Sequence, residues 1–168
     1  MKNRYGPSDE VGCFQMVPDG IVGLADPSGL FLSARGSPVP GTCATVTVQG
    51  RRALPVEVQS LIAPAGGEVS RRTVSGLDAA RTAMVLAVLQ RWGGVALGGQ
   101  DVLAATVGGA KMIEPAADLP LALAVWSSAR DIPLARGLVV MGELGLSAEV
   151  EMVCTESTMS SLGRTWSR

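Results

Sequence analysis

The 168-residue chain has no histidine, and that gap removes more chemistry than any other feature of its composition. Ser/His/Asp and Cys/His nucleophilic sites and His-based metal centres are excluded, which leaves carboxylate, Ser/Lys or backbone chemistry. Cysteine is scarce and scattered. Cys13, Cys43 and Cys154 form no CxxC pair and no zinc-ligand spacing, so they read as small buried hydrophobes in a reducing compartment. Lysine occurs only at Lys2 and Lys111. Charged residues make up 17% of the chain and the net charge is −1, which argues against a uniformly basic surface that coats nucleic acid. Local basic pairs remain at Lys2/Arg4, Arg51/Arg52 and Arg71/Arg72. No apolar run reaches the ~20 residues that a bilayer crossing needs. Lys2 and Arg4 are followed by Gly6, Pro7 and acidic residues rather than by a signal-peptide core. A cytoplasmic address without a membrane partner is the expectation.

The hydrophobic share is 47%, enough for one core of ordinary size and too high for a disordered chain. One domain is expected. Val11–Val17 and Ile21–Leu24 flank Pro18, Asp19 and Gly20 and predict a hairpin. Thr42–Val48, dominated by β-branched residues, and Ala53–Ile62 predict a longer one. Arg71–Val74 reads as a short strand. Leu77–Trp92 has helix length, no internal Pro or Gly, and Gly93-Gly94 as its stop. Its large apolar residues cover more than half the circumference and alanines fill much of the rest, so the helix requires cover on most sides, from its own domain or from a neighbouring subunit. Asp101–Val107 predicts a strand, Leu119–Arg130 a second helix with Asp118 as N-cap, and Gly137–Glu143 and Gly145–Met152 two further strands. Ser157–Arg168 reads as a frayed helix or a disordered end. This order predicts an α+β fold, a mixed sheet with helices packed on one face, preceded by an N-terminal β-hairpin region.

Candidate chemistry is thin. Val107-Gly108-Gly109-Ala110-Lys111 has the glycines and lysine of a phosphate loop but not the GxxxxGK[ST] spacing. Glu114 and Asp118 offer a carboxylate pair, although the capping role of Asp118 competes with acid/base work. Ser127 and Ser128 fall inside the second helix rather than at an exposed helix start.

Three groups of residues, taken in order, carry a resemblance. They are Lys2-Asn3-Arg4-Tyr5-Gly6; the run from Pro55-Val56-Glu57-Val58-Gln59 through Arg71-Arg72, Val74-Ser75-Gly76-Leu77, Asp101-Val102 and Val107-Gly108-Gly109; and Glu114-Pro115-Ala116-Ala117-Asp118-Leu119 with Gly142-Glu143-Leu144-Gly145-Leu146-Ser147. Over residues 2 to about 150 the chain resembles the C-terminal part of the bacterial RadA (Sms) family of DNA repair proteins. Tyr5 stands where that family's KNRFG motif has Phe.

The resemblance implies a Lon-protease-like (ribosomal protein S5 domain 2-like) fold over 11–153, a junction at 1–10 and a divergent tail at 154–168. It implies a non-catalytic, ring-forming platform, a hexamer, beneath a RecA-like, DNA-dependent ATPase that promotes branch migration of recombination intermediates. ATP, Mg and Zn would then belong to segments before Lys2, with none held by this stretch. The implied partners are single-stranded or branched DNA, further copies of the chain and other recombination proteins. Lys2, Asn3, Arg4, Tyr5 and Gly6 would couple DNA engagement to ATP use, with Arg51, Arg52, Arg71 and Arg72 as further candidate DNA contacts. Lon-type cleavage uses a serine at a helix start and a lysine downstream. Ala116 holds the nucleophile position, and no lysine follows it. A residual Ser-dependent peptidase is the alternative reading.

Overall fold

The computed structural model describes residues 13–24, 37–49 and 52–151. Strands β1 (Cys13–Val17) and β2 (Gly20–Leu24) form a separate two-stranded antiparallel sheet. The main sheet is built from β3 (Thr42–Gln49), β4 (Arg52–Pro64), β5 (Arg72–Ser75) and β6 (Gln100–Thr106), in the order β3-β4-β6-β5. β3, β4 and β6 pair antiparallel, whereas β5 lies parallel to β6. A parallel pair needs a crossover, and helix α1 (Ala79–Arg91) supplies it between β5 and β6. Helix α2 (Asp118–Arg130) packs against β3 and β4, and α1 packs against α2. Among the described residues the architecture is therefore α+β, with a mixed sheet and two α-helices.

Side chains alternate across the sheet. Cys43, Val56, Val58, Val102 and Ala104 point into one core with Val85, Leu86 and Val88 of α1 and Leu121, Ala124 and Val125 of α2. Each large apolar side chain removed from water there contributes roughly 1.5–3 kcal/mol. Cys43 is 3% exposed; burial, reinforced by the charge of Glu57, pushes its thiol pKa up to about 12, so it behaves as the expected small hydrophobe. Cys154 lies outside the described residues. The opposite face of the sheet carries exposed Leu61, Thr73, Ser75 and Leu103 and, among the described residues, no helix.

Several boundaries differ from expectation. The helix predicted over Leu77–Trp92 starts at Ala79, because Asp78 caps it by accepting the Arg81 amide at 2.8 Å. Leu77 is left to a parallel bridge with Met112. Cover reaches one side only: Thr82, Val85, Leu86, Val88 and Leu89 are buried, while Ala79, Ala80, Ala83 and Ala87 face solvent and Trp92 is 55% exposed. Asp118 is not an N-cap. The capping position falls on Ala117, and Asp118 is the first helical residue. The strand predicted over Gly137–Glu143 shrinks to β7 (Glu143–Leu144), paired with β8 (Val150–Glu151). Its backbone is committed elsewhere. Val140 donates to Ala44 O at 3.0 Å, Gly142 donates to Ala116 O at 3.0 Å, and Gly142 O accepts from Leu119 at 3.0 Å. Among the described residues no helix is long and apolar enough to cross a membrane.

Candidate functional site

The position predicted to stand in for a nucleophile lies in the 3-10 turn Pro115–Ala117 that leads into α2. Ala116 is half-buried and presents a methyl group, while its carbonyl holds the segment before β7 through Gly142. A methyl group cannot attack a carbonyl. The neighbouring polar side chains are occupied. Asp118, 2% exposed, accepts Arg81 Nε at 3.0 Å on Oδ1, while its Oδ2 pairs with Arg81 Nη2 and takes the Leu144 amide at 3.3 Å. The same Nη2 reaches Glu143 Oε1 at 2.9 Å. These bonds, the one to Asp118 foremost, hold the Arg81 guanidinium even more firmly protonated than usual. The carboxylate pair considered from sequence, Glu114 with Asp118, is not what assembles. Arg81 clamps Asp118 to Glu143 instead, and Glu114 sits 3.4 Å from Thr47 Oγ1.

Arg81 escaped the sequence reading. The available signal was an arginine in the first turn of a helix that runs on mainly through alanine and apolar residues, three positions after a capping aspartate.

Ser127 and Ser128 lie inside α2 as expected, and both hydroxyls are engaged. Ser127 is fully buried; its Oγ donates to Ile132 O and accepts the Gly41 amide at 2.9 Å. Ser128 Oγ accepts the Ile62 amide at 3.1 Å. The two serines tie the end of α2 to the sheet.

The basic residues do not converge. Arg72 spends its guanidinium on the carbonyls of Arg71, Gln100 and Leu97, which close the end of the sheet. Arg71 is exposed, with its amide bonded to Asp101 Oδ1 at 2.7 Å. Arg52 starts β4, and Arg72 lies level, through Val102, with Ile62 near the other end of that strand. At roughly 3.3 Å per residue, about 33 Å of strand separates Arg52 from the level of Arg72. Lys2, Asn3, Arg4, Tyr5, Gly6 and Arg51 lie outside the described residues.

Val107–Gly109 is a 3-10 turn running into extended backbone at Ala110 rather than into a helix N-terminus, and the described residues gather no group of three or more metal-capable side chains.

No protein-family model matches the chain. DNA repair protein RadA of Mycobacterium tuberculosis is 46% identical over 153 residues, which is 91% of this chain and 32% of that protein. The Mycolicibacterium smegmatis protein of the same name is 46% identical over 91% of the chain and 33% of its own length. That of Escherichia coli is 43% identical over 90% and 33%. The chain spans about a third of the length of these relatives. Over 91% of its own length, then, the chain is similar to DNA repair protein RadA and matches about one third of that protein.

Proposed function

We propose that this chain is the Lon-protease-like platform of a RadA-type DNA repair protein: a stretch that joins neighbouring subunits and contacts DNA without cutting peptides. The observation that carries the reading is the 46% identity across 91% of the chain to proteins named for DNA repair. A coherent set of side chains supports the non-catalytic part. Ala116 offers no nucleophile, the hydroxyls of Ser127 and Ser128 hold the sheet, and Lys111, the only lysine among the described residues, precedes rather than follows Ala116. In this reading residues 1–10 are the junction to a RecA-like ATPase, 11–153 the platform and 154–168 a divergent tail. The whole protein uses ATP in the cytoplasm to drive branch migration on single-stranded or branched DNA, as a hexameric ring and with other recombination proteins. Lys2 and Arg4 suit phosphate oxygens, arginine in bidentate form. Arg71 is better placed for DNA than Arg72, whose donors are already used.

The test is fluorescence anisotropy with labelled single-stranded DNA. Binding is expected to weaken steeply between about 50 and 200 mM salt. The double variant Lys2→Ala/Arg4→Ala is expected to lose roughly tenfold in affinity. Absence of salt-sensitive binding would remove the DNA-contact role. Stoichiometric labelling by a serine-acylating probe would replace the platform with the peptidase alternative.

A further inference from the structure

Two apolar surfaces of this chain lie open, and each lacks what the other has. The first is the β1–β2 hairpin. Phe14 and Met16 are two residues apart and share one face, and Ile21 lies opposite Met16; the three are 66%, 82% and 69% exposed. A two-stranded hairpin is at best marginally stable alone in water, and among the described residues β1–β2 joins no other strand. Its single charge is Asp19, at the turn.

The second surface is a groove between α1 and α2, of about 340 Å³, lined among others by Trp92, Leu119, Leu123, Trp126, Leu144 and Ala148. Its size is that of clefts that accept ligands. Its rim is basic. The Arg91 guanidinium lies 4.5 Å from the Trp92 ring centroid, and Arg130 Nη2 donates to Gly94 O, next to the groove residue Gly93, at 2.9 Å. Glu149, the acidic residue beside Ala148, packs against Gly145.

We infer that the hairpin of one copy seats in the α1–α2 groove of the next, with Phe14, Met16 and Ile21 against Trp92, Leu123 and Trp126 and with Asp19 facing Arg91 and Arg130. The contact rests on the platform reading and gives its self-association a mechanism. It commits to a second copy because the hairpin face and the groove of one chain are both exposed, and because the one charge on the hairpin is opposite in sign to the pair on the rim. Such a contact joins two different surfaces, so each copy uses one neighbour for its hairpin and another for its groove. A ring results where the rotation closes.

The experiment is sedimentation of the full 168-residue chain over its soluble concentration range, with circular dichroism as the folding control. Wild type is expected to associate. The hairpin variant Phe14→Asp and the groove variant Leu123→Asp are each expected to remain monomeric, and their 1:1 mixture to give a dimer and nothing larger, since only one intact hairpin and one intact groove remain. Should Leu123→Asp fail to fold, the exposed Arg91→Asp takes its place, with recovery of assembly on adding Asp19→Arg. Assembly of both variants at wild-type strength would overturn the contact while leaving the platform reading standing, as would monomeric variants whose mixture forms no dimer. A wild-type chain that stays monomeric throughout would sink both the contact and the self-association part of the platform reading.

Discussion

A single arginine organises the entry to α2. The Asp118 carboxylate is taken out of water, and a buried charge is tolerated only when it is paired and its lone pairs are filled. Arg81 supplies two donors and the Leu144 amide a third. Arg81→Ala is expected to cost about 2–3 kcal/mol in denaturant unfolding. That lies below the range for a fully buried pair because the Arg81 side chain keeps 29% exposure. Arg81→Met combined with Asp118→Leu is expected to recover most of the loss, since no unpaired charge is left inside. A double variant as unstable as Arg81→Ala alone would show that the pair holds β7 in place by geometry rather than by charge balance.

At the scale of elements, what could be read from the sequence was whatever repeats along one segment. Thr42–Val48, Ala53–Ile62 and the two helices announce themselves by β-branching, by length and, for the first helix, by a Gly-Gly stop, and each is present within a residue or two of its expected ends. What could not be read depends on partners distant in the chain. Asp118 looks like a cap locally, but Arg81, 37 residues earlier in the chain, claims its carboxylate. Gly137–Glu143 has strand-like residues, yet the turn before α2 takes the amide of Gly142 and the first turn of α2 takes its carbonyl. Parallel pairing of β5 with β6 leaves no mark in either strand alone.

The same distance effect makes one glycine indispensable. Gly41 has φ +83°, and a Cβ there would stand 2.2 Å from Ser60 O and 3.2 Å from Ser128 Cβ, while its amide is the one that Ser127 receives. Gly41→Ala is expected to cost about 2–3 kcal/mol, measured as a lowered denaturation midpoint with the slope unchanged.

For the whole molecule, stability is unevenly spread. β4 and β6 sit inside the sheet against the core, while β1–β2 is a separate pair with its apolar face uncovered. Native-state hydrogen exchange is expected to show β4 and β6 amides opening only with global unfolding, and β1–β2 amides exchanging far faster in dilute solution. Raising the protein concentration is expected to slow exchange in β1–β2 selectively; uniform slowing, or none, would mean that the hairpin has no docking partner among its own copies.

The outer edge of the sheet bears on how copies can meet. β5 is four residues long and carries exposed Arg72 beside exposed Arg71, with the Arg72 guanidinium bonded to the carbonyls of Arg71, Gln100 and Leu97 at the end of the sheet. Two such edges brought together would set like charges against each other along a strand too short to reward the pairing. Growth by adding strand to strand is thus blocked on that side, which keeps a population of free chains from fusing their sheets into fibres.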